Sequence, residues 1–217
     1  MVYARLILMR LFKAVIVLFL IVIFNFLLIQ LAPGDPAAIL AGEAGAADQE
    51  FLNQLRERFG LDQPMYVQLW RYVSGIAVLD FGYSYRLGVP VFDLIMDRLP
   101  ATLLLTGTAF VLSLVLGIVA GSMAAARVKK PSGSLIMALA LVFYATPLFW
   151  VALMSVVVFS VYLGWLPAYG LYTVGAGHTG LALVLDVAKH LVLPATTLAL
   201  FFMAIYTRMT RTSMLDA

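Results

Sequence analysis

The sequence predicts an all-α membrane protein: four transmembrane helices, with a small helical cap between the first and the second. Composition, apolar runs and the placement of basic residues carry that prediction. Hydrophobic residues make up 64% of the chain and charged residues 12%, with a mean hydropathy of +1.02. Soluble domains run at about 45–50% apolar and about 25% charged. Four stretches free of charge stand out: Ala14–Leu31, Leu99–Ala126, Leu135–Leu163 and Leu191–Thr207. A helix needs about 20 residues to cross about 30 Å of hydrocarbon. The first three stretches reach that length. The fourth is at the short end, and Pro194 is expected to open its helix.

Basic residues set the orientation. With four crossings, Arg5, Arg10, Lys13, Arg127, Lys129, Lys130, Arg208 and Arg211 fall on one face, where Asp216 is the one acid. Every other acid lies on the opposite face. Lys and Arg in short loops mark the cytoplasmic side, so both termini are expected in the cytoplasm. The pI near 9.2 therefore reports topology rather than nucleic-acid binding. Basic residues precede the first run as they would a signal peptide. Its length exceeds a usual signal-peptide core, so an uncleaved anchor is expected. The chain has no cysteine, which removes disulfides, thiolate metal sites and Cys nucleophiles together.

The first span ends at Ala32-Pro33-Gly34-Asp35-Pro36, where proline withholds the amide a helix needs. The small residues of 41–47 read as a mobile loop. Asp48 suits an N-cap for a short helix carrying Phe51, Leu52, Leu55 and Phe59, with Gly60 past its end. Asp62 and Pro64 open a second helix with Tyr66, Leu69, Trp70 and Val73 on its apolar side. Gly82 and Gly88 punctuate a turn-rich passage, and Pro90 starts a third helix bearing Val91, Leu94, Ile95 and Leu99. These amphipathic pieces predict a folded cap lying on the membrane.

Within the spans, Ser113, Gly117, Gly121 and Ala125 recur every four residues and so share one helical face. Small residues at that spacing let another helix approach closely, inside one subunit or between two. Pro147, after Thr146, removes a backbone hydrogen bond mid-span and predicts a kink that can shape a passage. Asn25 lies centrally in the first run, where an unsatisfied amide in hydrocarbon is unfavourable by several kcal/mol. It must bond another helix or line a polar pathway. Gln30, nearer the end, can reach headgroups. Tyr162, Trp165 and Tyr169 are placed as interfacial anchors.

Catalytic chemistry is not visible. His178 and His190 have no zinc-motif spacing and read as surface or interfacial residues. GxSxG, HExxH and a Walker-type glycine loop are all missing from the sequence, so no catalytic residue, cofactor or metal site is assigned. None of the runs carries a charge of the kind that proton relays and voltage sensors need. That favours a transporter driven by a separate engine. A non-transporting membrane anchor or inactive fragment is the alternative.

Several stretches, taken in order, resemble the permease subunits of the dipeptide/oligopeptide/nickel class of bacterial ABC importers. They are the exit Leu31-Ala32-Pro33-Gly34-Asp35-Pro36, then Leu61-Asp62-Gln63-Pro64 and Asp80-Phe81-Gly82-Tyr83-Ser84. Arg98-Leu99-Pro100-Ala101-Thr102, Pro147-Leu148-Phe149-Trp150, Leu163-Gly164-Trp165-Leu166-Pro167-Ala168-Tyr169-Gly170 and His190-Leu191-Val192-Leu193-Pro194-Ala195 follow. The resemblance implies a type I importer permease of six helices in the bacterial inner membrane, most often for peptides. It implies a sister permease subunit, two cytoplasmic ATPase subunits carrying ATP hydrolysis, and a periplasmic substrate-binding protein. It divides the chain into a tail and first helix (1–31), a periplasmic cap (32–94) and the start of the transmembrane core (95–217). Helices of that core are expected over about 99–126, 135–163 and 191–207. Arg211-Thr212-Ser213-Met214-Leu215-Asp216 resembles the lead-in to an EAA-type coupling loop. On that resemblance the loop and the last two helices are expected beyond Ala217, so the chain is expected to be C-terminally truncated.

Overall fold

The structure, a computed structural model, describes residues 2–34, 37–38, 42, 48–84 and 87–216. The small-residue loop expected over 41–47 therefore lies outside the described residues, apart from Gly42. Two compact units divide the chain, Met1–Asp97 and Arg98–Ala217.

In the first unit, α1 (Val2–Leu31) is a single helix of 30 residues, apolar on all sides. A chain in hydrocarbon must satisfy its own backbone, and a continuous helix does so. Next come α2 (Gln49–Phe59) and α3 (Met65–Ala77). Asp48 caps α2 by accepting a hydrogen bond from the Glu50 amide, and Gly60 ends it at φ 63°. A side chain at Gly60 would meet both that backbone conformation and the Arg71 guanidinium, 2.5 Å away. The apolar side expected for α3 divides. Leu69 and Val73 are half-buried, whereas Tyr66 and Trp70 are exposed. Its inner face meets the end of α1, where Phe26 and Tyr72 have ring centroids 5.7 Å apart. Gln30 donates from Nε2 to Gln68 Oε1 (2.6 Å), and Gln68 Nε2 donates to the carbonyls of Leu61 and Gln63. Gln30 thus binds protein where headgroups were the expectation. The turn-rich passage is a miniature antiparallel hairpin, β1 (Tyr83–Ser84) against β2 (Val89–Pro90), with Tyr83 opposite Pro90.

The start of the second span moves from Leu99 to Val91, and its end falls at Ala126. Residues 91–99 are not a separate cap helix. They are the start of α4 (Val91–Ala126), which runs through Pro100 without interruption. Asp93, Asp97 and Arg98 make that start too polar to read as part of an apolar run. A tight turn then leads into α5 (Pro131–Ala145). Gly133 packs there against the carbonyl oxygens of Arg127 and Ala124, leaving no room for a side chain.

The expected third span is broken rather than kinked. Helix α5 and the following helix, α6 (Leu148–Ser155) continued by a π-helical segment (Val156–Tyr162), meet at 97° across Thr146-Pro147. The fourth helix is far longer than 191–207. As α7 it runs from Gly180 to Asp216 with Pro194 inside it. Pro194 leaves the His190 carbonyl without its amide donor, and the hydroxyls that follow bond other carbonyls around the proline. Thr197 Oγ1 donates to the Leu193 carbonyl (2.8 Å) and Thr196 Oγ1 to those of Val192 and Leu193. Among the described residues, α1, α4 and α7 are long and apolar enough to cross a membrane, and the bent pair supplies a fourth span if counted as one. Within the second unit α7 is central: α5 and α6 both pack on it, with Tyr144 and Phe201 stacked at 5.4 Å between centroids.

Candidate functional site

Helices α4 and α7 cross closely in the second unit. Ser113, Gly117, Gly121 and Ala125 form one buried face of α4. A Cβ at Gly121 would stand 2.6 Å from Thr210 Cβ and 2.7 Å from the Thr207 carbonyl oxygen. One at Gly117 would overlap Tyr206 Cβ and reach 3.2 Å from the Met203 carbonyl oxygen. The α4 backbone therefore lies directly on α7, touching its carbonyl oxygens and the Cβ atoms of Tyr206 and Thr210, and the helix in contact belongs to the same chain. Ser113 satisfies its hydroxyl locally, donating to the Phe110 carbonyl (2.8 Å). Phe110 and Tyr206 pack edge-to-face beside the crossing. At its centre Thr207 is fully buried, and its hydroxyl has no partner among the described residues.

Thr146 and Pro147 sit at the right-angle break between α5 and α6. Proline has no amide to donate, and its ring excludes the helical conformation at the residue before it. Thr146 is accordingly extended (φ −77°, ψ 132°), and its hydroxyl returns to the Val142 carbonyl at 2.7 Å. Thr146, Trp150, Met154 and Phe159 line an open, almost wholly apolar hollow of about 260 Å³ beside the break. Asn25 is exposed on α1 and bonds no described residue. Within the second unit, Thr146 lies at the α5–α6 break and the small-residue face at the α4–α7 crossing.

Sequence reasoning missed a clasp on the loop before α7. Asp186 accepts from the Thr173 amide (2.6 Å) and the Thr173 hydroxyl (2.9 Å), holding the loop against the helix. One turn on, His190 Nδ1 lies 2.8 Å from the Asp186 carbonyl oxygen and so carries the proton. Of the two histidines expected at the surface or an interface, His190 is only 8% exposed and His178 is exposed. With Tyr169, Gly170, Pro194 and Thr197, His190 borders a cleft of about 280 Å³. The sequence signal was present: an Asp and a His one helical turn apart inside an apolar register. Their partner thirteen residues back left no periodic trace. Trp165 and Tyr169 are widely exposed, as interfacial aromatics are. Among the described residues no group of three or more metal-ligating side chains comes together.

Long apolar helices, a bent pair and a helix crossing seated on glycine define an all-α, multi-pass membrane protein. Residues 3–106 match the N-terminal membrane component of binding-protein-dependent transport systems, and residues 117–217 match the inner membrane component of the same systems. The chain belongs to this family of membrane permeases. It is 38% identical over 211 residues to a protein of Brucella abortus (strain 2308) named, provisionally, a peptide transport system permease protein. That alignment covers 97% of this chain and 65% of the relative. It is 37% identical over 207 residues to the glutathione transport system permease protein of Escherichia coli (strain K12), covering 95% of this chain and 62% of that protein. The chain thus spans slightly less than two thirds of the length of these relatives.

Proposed function

We propose that this chain forms part of the membrane pathway of an ATP-driven, binding-protein-dependent importer of di- or oligopeptides. The supporting observation is an unbroken likeness over 97% of the chain to a protein named as a peptide transport permease. In this reading a sister permease completes the pathway, two cytoplasmic ATPase subunits drive it, and a periplasmic binding protein delivers the peptide. ATP hydrolysis resides on the ATPases. The basic residues at both ends favour cytoplasmic termini, with the cap of the first unit outside. The α5–α6 break supports a role for Thr146 and Pro147 in shaping the pathway. Asn25 contributes to the passage or to contact with another helix, because an amide in lipid requires a partner.

The test is uptake of a labelled dipeptide and tripeptide by cells of the source organism with the gene intact and disrupted, with glutathione and a nickel chelate in parallel. Loss of peptide uptake, restored by the gene in trans, supports the reading. Loss of glutathione or nickel uptake alone moves the substrate. Unchanged uptake of all four supports the non-transporting anchor instead.

A further inference from the structure

We infer that α3 is an interfacial anchor, sunk into the headgroup–acyl boundary of the outer leaflet with Tyr66 and Trp70 held in lipid. Its depth follows from its contacts with α1. Tyr72 stacks on Phe26 and Gln68 bonds Gln30, and both α1 residues belong to the apolar span that ends at Leu31. At about 1.5 Å per residue, Phe26 lies about 7 Å along the axis from that end. Amphipathic helices lying in a membrane interface insert to about 5–10 Å.

The faces of α3 agree with that depth. Gln68 and Tyr72 point to α1. Tyr66, Trp70 and Ala77, spaced four and seven residues apart, form a ridge on the opposite side, where Tyr66 is 74% and Trp70 72% exposed. Met65 adds a further exposed apolar group. Of the exposed polar groups, Arg71 points well away from the ridge, and Ser74, one turn after Trp70, lies beside it with its hydroxyl donated to the Arg71 carbonyl (3.1 Å). Exposed Trp and Tyr on a helix fixed at headgroup level match the aromatic belts of membrane proteins, where an apolar ring with a polar edge fits the boundary. The same unit presents Leu27, Leu28 and Leu31 of α1, all exposed, at that level. Exposed apolar groups of α1 and α3 thus lie at one depth, and lipid is the occupant common to both. In contrast α2 carries Glu50, Asn53, Arg56 and Glu57 and stays in water.

The experiment uses the 217-residue chain in phosphatidylcholine vesicles. Substituting Trp150→Phe and Trp165→Phe leaves Trp70 as sole tryptophan. Vesicles with bromines at carbons 6 and 7 or carbons 11 and 12 of the acyl chains probe depth, and iodide probes water. The expected result is about a twofold or greater loss of Trp70 emission in brominated vesicles, stronger for the shallow position, with little quenching by iodide. A second chain with Trp70→Phe and Tyr66→Trp added should behave alike, and helicity by circular dichroism verifies that both remain folded. Strong iodide quenching with no bromine effect would place α3 in water and overturn the inference. Insensitivity to both quenchers would mean that protein covers the ridge, and would overturn it equally.

Discussion

Replacing Gly121 by alanine puts a methyl group where two backbones already touch. The new carbon would stand 2.6 Å from Thr210 Cβ and 2.7 Å from the Thr207 carbonyl oxygen, against about 3.5–4.0 Å for an unstrained contact. Neither neighbour is the free end of a side chain, so α4 and α7 must separate by about 1 Å. A gap of about 0.5–1 Å forfeits a quarter to a half of each dispersion contact along the seam, and overpacking of this kind costs about 1–3 kcal/mol. Alanine is also the better helix former by about 1 kcal/mol, which masks part of the loss. Gly107→Ala cancels that term, because Gly107 lies in the same helix with nothing within 4 Å of its added Cβ. The difference between the two variants isolates the crossing: about 1–3 kcal/mol, or roughly 5- to 150-fold in the folding equilibrium. Reversible unfolding in mixed dodecyl maltoside–SDS micelles, followed by circular dichroism, measures it. Equal stability of G121A and G107A would refute the claim that α4 and α7 meet backbone to backbone.

Thr207→Val removes the buried hydroxyl that lacks a partner and should be neutral to stabilising by up to about 1 kcal/mol in the same assay; clear destabilisation would show that the hydroxyl is satisfied. Because the chain has no cysteine, spin labels can be placed at Leu135→Cys and Val158→Cys without background. At about 1.5 Å per residue, a 97° bend puts those backbone positions about 23 Å apart and a straight helix about 35 Å. A double electron–electron resonance distance near the longer value would eliminate the break, and Pro147→Ala should add population there by restoring an amide. Asp186→Ala removes two hydrogen bonds from Thr173 to a charged acceptor. Hydrogen exchange at the Thr173 amide should rise at least about tenfold, and unchanged exchange would show that the clasp does not hold the loop.

What the sequence made legible was whatever has a period or a punctuation mark. The apolar runs located the three long helices and the bent pair, the four-residue spacing of Ser113, Gly117, Gly121 and Ala125 located the buried face of α4, and Asp48 and Gly60 marked the ends of α2. Polar residues inside helices misled. Asp93, Asp97 and Arg98 cut the start from α4, and Asp186, Lys189 and His190 did the same to α7, because a hydropathy window ends a span wherever charge appears. Proline marked the place of each disturbance without its size. Pro100 and Pro194 leave their helices continuous, Pro147 coincides with a right angle, and the difference lies in the surroundings. The Thr173–Asp186 clasp and the Gln30–Gln68 bond join residues far apart in sequence, so no local pattern announces them.

The position of the glycine crossing on α7 has a mechanical consequence. From Thr207 the helix extends about 40 Å to Gly180 but only about 14 Å to Asp216, at about 1.5 Å per residue. Two backbones in direct contact form a pivot, and the pivot divides α7 into arms of about three to one. Moving as one piece, the helix is a lever. A shift of about 1 Å at the Asp216 end would swing the Gly180 end by about 3 Å, roughly the length of the hydrogen bonds by which Asp186 holds the loop.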